Sequence, residues 1–201
     1  MKILSLLLIS SILLYASVGK ITAIKGEVYI DRSNNNISAR GGSILELKDK
    51  IITKEDSKAL ILFNDKTSIT VGKNSTLVVS KYVFTTTAKS NNKATFGFGT
   101  GIFRTITGKI GKLNPKGFKI KTSTATIGIR GSDGTTIVKA NGDVKHITNS
   151  GGFILTNNTT GQTIDIAKGS TGSLNKAEGL SVAKTTPKDL KESSELSDEN
   201  Q

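Results

Sequence analysis

The residue types most often used in catalysis are scarce in this chain. His146 is the single histidine, and there is no cysteine. The chain therefore has no thiolate nucleophile and no Cys/His zinc site. A histidine can act as an acid–base group near neutral pH, but no second histidine or cysteine is available to complete a site around it. We predict that His146 faces outward from a strand.

Two further patterns have both a chemical and a structural interpretation. Oxygen-rich turns can bind calcium, yet no run of the sequence matches a calcium loop, and aspartate is common in turns without any ligand. The aspartates at or beside predicted turns are Asp31, Asp65, Asp133, Asp143 and Asp165. The spacing Gly97-x-Gly99-x-Gly101 lacks the P-loop Lys-Ser/Thr pair and the dinucleotide fingerprint. We predict a tight strand there, with Phe96 and Phe98 packed inward, and we predict no enzymatic activity, no metal and no cofactor.

The first residues have the pattern of a secretory signal peptide spanning 1–16. Lys2 is followed by an apolar run over 3–14 and by the small residue Ala16. A spanning helix needs about 20 apolar residues, which this run does not reach, although retention as an anchor is the alternative. We predict export to the periplasm or the cell surface, with no transmembrane span after cleavage.

Short β-prone runs separated by glycine and asparagine predict an all-β domain over 17–168. The clearest hairpin joins 58–63 to 67–72 through turn residues. Asn141-Gly142 lies between alternating runs and predicts a second tight hairpin, and another follows over 152–167. We expect many short strands and hairpins in a compact sandwich or solenoid-like stack.

The C-terminal part changes composition. It is small, polar and glycine-rich at first, and then nearly free of apolar residues. We therefore predict a flexible, partly acidic tail over 169–201, with at most a frayed helix near 189–196.

The formal net charge of +12 could attract nucleic acid, acidic polysaccharide or anionic lipid. The lysines are scattered along the sequence, and aromatic residues that could stack on bases are not interleaved with them. We predict that the lysines occupy the solvent-facing sides of strands, and that nucleic acid is not a partner.

The prediction of the fold centres on the stretch from Phe118 to Val138. Its first residues alternate as a half-buried strand does. Gly128 and Gly131 permit a sharp corner or a close approach of another segment, and β-prone sequence resumes at Thr135. This stretch therefore predicts two short strands joined at a glycine-rich corner.

The same stretch resembles a known family signature. The run TSTATIGIRGS, from Thr122 to Ser132, resembles the C-terminal "TPxAxxGVRGT" string of FecR-type domains, with Ser123 where the family often has proline. An upstream half, "G…D…IxT…S.A…FxDGS", is also similar, with Lys66 where the family often has glycine. Its matching residues are Gly42, Asp49, Ile52-Thr53, Ser57-Lys58-Ala59 and Phe63-Asn64-Asp65-Lys66-Thr67. The two halves cover about residues 20–140.

The resemblance implies a role in signalling. A full FecR-type regulator is a transmembrane transducer, with a cytoplasmic part that handles a sigma factor and a periplasmic domain that receives a signal from an outer-membrane receptor. We expect this chain to be a stand-alone exported domain without the cytoplasmic anti-sigma segment. It would contact another envelope protein or a polysaccharide, with an unpaired strand edge as one physical route. The alternative is a structural or assembly accessory of a larger surface or secretion system.

The residues that carry the resemblance are predicted to be structural. They are Thr122, Ala125, Gly128, Arg130, Gly131, Asp49, Thr53, Phe63 and Asp65. Among them, Arg130 is expected to stabilise the corner by bonding to carbonyl groups or a carboxylate. The sequence predicts neither the residues that touch a partner nor the oligomeric state.

Overall fold

The computed structural model describes residues 17–194 and 196, which form one curled β-sheet with two short helices. The all-β prediction is confirmed. The predicted signal peptide at 1–16 lies outside the described residues. Within the described part, neither helix is long and apolar enough to cross a bilayer.

Sixteen strands follow one another between residues 17 and 194, mostly as antiparallel neighbours. They are β1 Gly19–Lys25, β2 Val28–Arg32, β3 Asn35–Ser38, β4 Ile44–Leu45, β5 Lys50–Thr53, β6 Lys58–Phe63, β7 Ser68–Val71, β8 Thr76–Val83, β9 Lys93–Phe98, β10 Gly101–Ile106, β11 Phe118–Lys121, β12 Ala125–Val138, β13 Val144–Asn157, β14 Thr163–Ala167, β15 Ser170–Asn175 and β16 Gly179–Lys184. The helices are α1 Lys109–Leu113 and α2 Pro187–Ser194, and 3₁₀ turns occupy Lys89–Asn91 and Pro115–Gly117.

The sheet order is β3-β2-β5-β8-β9-β11-β12-β10-β7-β6-β1-β4. Among the described strands, only β9 and β11 pair in parallel. Strand β13 pairs with β12 and carries β14 and β15 on its other side, and β15 in turn carries β16. The sheet therefore branches at β12, which contains most of the signature run. In the part of the chain that the structure describes, β12 and β13 are the longest strands, with 14 residues each.

Alternating side chains fill one hydrophobic core inside the curl. In β6, Ala59, Ile61 and Phe63 are buried, and the residues between them are half-buried. Aromatic rings link distant strands. Phe63 lies 4.7 Å from Phe96, which lies 5.5 Å from Phe118, measured between ring centroids. Each such buried side chain contributes about 1.5–3 kcal/mol, and no disulfide exists to add to this.

Most predicted hairpins are present. Strands β6 and β7 pair as predicted, β12 and β13 pair around Asn141-Gly142, and β13 pairs with β14. Phe96 and Phe98 are buried in β9, as the glycine-alternating run predicts. These hairpins were predictable because local turn chemistry specifies them.

The predicted corner differs in detail. Residues 125–138 form one continuous strand, β12, and the chain reverses direction before it, at 122–124. The register of β12 against β13 shifts between Ile129 and Ser132. A β-bulge accommodates the glycine-rich residues without ending the strand.

The structure also differs from the prediction of flexibility after 168. Strand β15 continues along β13 beyond β14, with Leu174 opposite Val144, and β16 pairs with β15. Long-range backbone pairing and the burial of Leu174 stabilise a segment whose local composition is polar. The rest of the predicted tail, residues 195 and 197–201, lies outside the described residues.

Helix α2 and Leu196, named here the C-terminal latch, cover part of the outer sheet face. Thr186 and Asp189 cap the helix reciprocally, with N–H donors at 3.2 and 2.9 Å. The ammonium of Lys145 lies 2.9 Å from the carboxylates of both Asp189 and Glu192. Leu196 is buried and faces Gly72. The latch therefore closes the outer face over the middle of the sheet.

Candidate functional site

An open groove lies over the N-terminal end of β12, where the signature residues begin. Its floor consists of Thr126 and Gly128 from β12 and of Ile154 and Thr156 from β13. One wall comes from the turn 113–118 and from Lys119 of β11. The volume is about 840 Å³, within the range of ligand pockets. We call it the signature groove.

Strand pairing fixes the floor of the signature groove. Gly128 lies opposite Ile154 on one side and opposite Lys119 on the other. A Cβ at Gly128 would meet only the Cβ of Ile154, at 3.9 Å. Gly128 therefore faces open space, and its lack of a side chain keeps the floor low. The charged residues that line the groove are Lys116 and Lys119, so its charge is positive.

Thr122 fixes the turn that begins β12. Its Oγ1 accepts a hydrogen bond of 2.9 Å from the N–H of Ala125. The backbone N–H of Thr122 donates to the carbonyl of Ala125 at 2.8 Å. Ala125 is fully buried. These bonds set where β12 starts, and so which signature side chains face the groove.

Arg130 and Gly131 lie in β12 at the register shift. The side chain of Arg130 is outside the described part of the structure. The proposed bond from Arg130 to carbonyl or carboxylate oxygens therefore stays a prediction.

The upstream motif residues lie elsewhere, in turns or at the ends of the strands beside them. Asp49 is buried and accepts two hydrogen bonds from Arg32, at 2.8 and 2.7 Å, and one from the N–H of Glu46 at 2.8 Å. The hydrogen bond with Asp49 raises the pKa of the Arg32 guanidinium. Thr53 Oγ1 receives the N–H of Ser75 at 3.0 Å and donates to the carbonyl of Gly72. Both residues join neighbouring turns and leave no free chemical group.

Asp65 is the most heavily bonded of these residues. Its carboxylate accepts from Thr67 Oγ1 at 2.7 Å, from the Tyr82 hydroxyl at 2.9 Å and from the N–H of Ile110 at 3.0 Å. Burial, and then the nearby Asp65 charge, raise the pKa of Tyr82. Phe63, two residues earlier, stacks on the Tyr82 ring at 5.7 Å. Asp65 thus joins the β6–β7 turn to the start of α1.

His146 is buried, which corrects the prediction that it faces outward. Its Nδ1 lies 2.9 Å from Thr136 Oγ1, and its ring lies 4.0 Å from that of Phe153. Burial lowers the pKa of His146 to about 3. The interior has room for the imidazole because Gly134 stands beside it, where a Cβ would lie 2.5 Å from Nε2. His146 is therefore a neutral core residue near physiological pH.

The polarity of this part of the core is unusual. Within the described residues, Nε2 of His146 and the hydroxyls of Thr105 and Thr148 have no hydrogen-bond partner. Thr105 and Thr148 both lie opposite Gly134 in the sheet. None of these atoms opens onto the signature groove.

Other ion pairs were not predicted from the sequence. Arg104 binds Asp133 through two hydrogen bonds of 3.0 and 2.8 Å. The only available signal was the position of each residue in a strand, which does not reveal the partner strand. Across residues 17–194 and 196, no group of three or more His, Asp or Glu side chains could hold a metal ion. The arrangement at the signature groove can form contacts through lysine ammonium groups, threonine hydroxyls and aliphatic surface.

Comparison with known proteins identifies a matching family and structures of similar fold. The family model described as FecR protein matches residues 49–152. Comparison with curated protein sequences gives no match. Two crystal structures of a "putative anti-sigma factor" from Parabacteroides distasonis ATCC 8503, at 2.50 and 1.65 Å resolution, are similar, each with a TM-score of 0.55 and 10% identity. Each alignment covers 71% of this chain and 62% of that one, so this chain spans less than two thirds of its neighbour. At such low identity the similarity shows a shared fold.

Proposed function

Because the chain belongs to the FecR family, we propose that it is a non-enzymatic interaction domain that acts in the cell envelope. It contacts another envelope protein or a polysaccharide and has a signalling role of the kind found in FecR-type regulators. The signature groove is the observation that supports this proposal best. It is open and positively charged, and the signature residues Thr126 and Gly128 form part of its floor.

The burial of the remaining motif residues supports a structural role for them and leaves the groove as the surface for a partner. Asp49, Thr53, Phe63 and Asp65 are all buried, and the three polar ones bond to the protein itself. They hold the fold and are not available to a partner. Thr126 and Gly128 are partly exposed at the groove. A partner that reads the signature directly would meet these two positions.

The proposed location follows from the sequence alone. The pattern of 1–16 is that of a secretory signal, and we propose a periplasmic or cell-surface site of action. A protein exported to the envelope would meet envelope components, and we therefore propose an envelope component as its partner.

Photo-crosslinking in cells tests the proposal. A photoreactive amino acid at Thr156, on the groove floor, should produce one dominant adduct with an envelope component. Sensitivity of that adduct to protease or to glycoside hydrolases then identifies its class. The same probe at Val182, which is half exposed on β16, is the matched control. Absence of any adduct at Thr156 would contradict the proposal.

A structural or assembly role is the second candidate, and strand β3 supports it. All four residues of β3 are exposed, and the strand forms one end of the sheet. Such an edge presents unpaired backbone groups that another chain can extend. A probe at Ile37 of β3 that gives the dominant adduct, in place of Thr156, would favour this role.

A further inference from the structure

The sheet brings together lysines that are scattered in the sequence. Lys81 of β8 lies beside Thr95 of β9, which lies beside Lys119 of β11. Because paired residues share a face, the two lysines point to the same side. Lys119 then lies opposite Gly128, on the floor of the signature groove. A cross-strand row of positive charge therefore leads into the groove.

A second row runs beside the first. It passes from Lys50 of β5 through Val78 and Gly97 to Lys121 of β11. Lys121 lies opposite Thr126, the other signature residue on the groove floor. We name the outer surface of these two rows the lysine face. It carries Lys50, Lys81, Lys119 and Lys121.

The spacing of these charges suits an extended polymer. Neighbouring strands lie about 4.8 Å apart, so Lys81 and Lys119 are separated by about 10 Å, and Lys50 and Lys121 by about 14 Å. Lys119 and Lys121 are two residues apart in one strand, about 7 Å. Lys81, Lys119 and Lys121 are exposed, and Lys50 is half-buried. The lysines thus follow a line across the strands, without collecting at one point.

Apart from Val78 and Ile154, the remaining residues on the lysine face are small or polar. Gly97, Thr95, Gly128 and Thr126 give it a low, hydroxyl-bearing surface. Glycine and threonine leave backbone and hydroxyl groups accessible to a hydrated ligand. Beyond Gly128, the first row continues through Ile154 of β13 and ends at Asp165 of β14. This acidic residue therefore lies at the far side of the groove.

We propose that the lysine face binds an acidic polysaccharide, with the chain lying across β8, β9 and β11 and one end in the signature groove. The proposal rests on the proposed function and specifies its ligand. Lysine ammonium groups pair with carboxylate or sulfate groups, and threonine hydroxyls bond to sugar hydroxyls. A bilayer would call for large apolar and aromatic residues beside the lysines, and single-stranded nucleic acid would call for stacking aromatics. The two rows contain no aromatic residue, and Val78 and Ile154 are their only apolar side chains larger than alanine.

Binding to defined polymers tests the proposal. Isothermal titration of the full chain with polygalacturonate and with heparin should show binding that weakens as salt rises, and neutral dextran should not bind. Lys119→Gln with Lys121→Gln should weaken polygalacturonate binding about tenfold, as expected from the loss of two exposed charge contacts. Lys20→Gln with Lys184→Gln removes the same charge from exposed strand positions outside the lysine face. This control should change affinity less than about threefold.

Four results would overturn the inference. They are the absence of binding to either polymer at low salt, equal loss of affinity in both double variants, unchanged affinity in the Lys119/Lys121 variant with intact folding, and preferential binding to single-stranded DNA or to phosphatidylglycerol vesicles. Thermal melts of all variants establish that folding is intact. If neither polymer binds but a protease-sensitive adduct forms at Thr156, the ligand class is wrong and the proposed interaction role stands. If neither polymer binds and no adduct forms at Thr156, the proposed function is wrong as well.

Discussion

The two ends of strand β12 differ in what covers them. Around Gly134 and Thr135 the strand is closed on both faces. His146 and Phe153 pack near Gly134 on the inner side, and Ser193 of the C-terminal latch bonds to Thr135 at 2.8 Å on the outer side. Near Gly128 only the inner face is closed, and the outer face is the floor of the signature groove. One strand thus serves the core at one end and offers a binding surface at the other.

The two glycines of β12 have different structural roles. Glycine at 134 makes room for neighbours that are already present, whereas glycine at 128 leaves room that nothing in the described chain occupies. Buried motif residues such as Asp65 have their polar groups hydrogen-bonded within the protein. A surface for a partner is found where the protein no longer covers or bonds the motif residues itself.

The largest expected effect comes from Gly134→Ala at the closed end. Its Cβ would lie 2.5 Å from Nε2 of His146 and 2.9 Å from Cε2 of Phe153. Overpacking of this kind costs about 1–3 kcal/mol, and two rigid rings place this site near the upper limit. Urea denaturation should show a lower midpoint at unchanged slope. A wild-type midpoint would mean that the closed end is looser than described.

The second effect is a dependence of stability on pH at the same closed end. The pKa of His146 is lowered to about 3 in the folded state, so between pH 6.5 and 3 the unfolded chain binds the extra proton. The free energy of unfolding should therefore fall as pH falls across this window, by up to about 1.4 kcal/mol per pH unit.

The matched variant for this pH effect is His146→Gln, which keeps a neutral hydrogen-bonding group beside Thr136. Denaturation curves from pH 7 to 4 should be flatter for this variant than for the wild type. Equal slopes would show that His146 is already protonated or exposed.

A smaller effect is expected from the C-terminal latch, which closes the outer face. Burial alone would raise the pKa of Asp189, but hydrogen bonds from Thr186 and Lys145 outweigh it and lower this pKa to about 2. Asp189→Ala removes the helix cap and one ion pair, and should cost about 1–2 kcal/mol. Proteolysis should then cut first within 185–194. Glu192→Gln, which removes the more exposed partner of Lys145, should cost less than about 1 kcal/mol.

The smallest effect on stability is expected from Gly128→Ala at the open end. The new Cβ would meet only Ile154 at an ordinary contact distance of 3.9 Å, so the unfolding free energy should change by less than about 0.5 kcal/mol. Binding at the signature groove should nevertheless weaken, because the floor is raised. A loss of stability comparable to that of Gly134→Ala would remove the contrast between the two ends.

Local sequence signals predicted the hairpins but not the features that arise from long-range pairing. Asn141-Gly142 specified its turn by conformational preference. His146 was predicted to face outward because no second histidine or cysteine was available to complete a site around it. In the structure, Val144 and Thr148 at alternate positions share its buried face. Gly134, on the neighbouring strand, provides the space that allows it inside, and only the register of β12 against β13 shows this.

The candidate site could be predicted only in part for the same reason. The resemblance identified the signature, but the lysine face depends on pairing among β5, β8, β9 and β11, which are distant in sequence. The strands after 168 were missed because β15 and β16 are stabilised by pairing and not by local hydropathy. Lysines that are far apart in the sequence can lie close together when their strands pair in a sheet.

An NMR titration tests the difference between the two ends of β12 most directly. The ¹⁵N-labelled chain is titrated with polygalacturonate, and amide shifts are followed along β12. We expect the largest changes at 126–129, with matching changes at Lys119, Lys121 and 154–156, and little change from Gly134 to Val138. Changes centred on 134–138 or on the C-terminal latch, with 126–129 unaffected, would contradict the account.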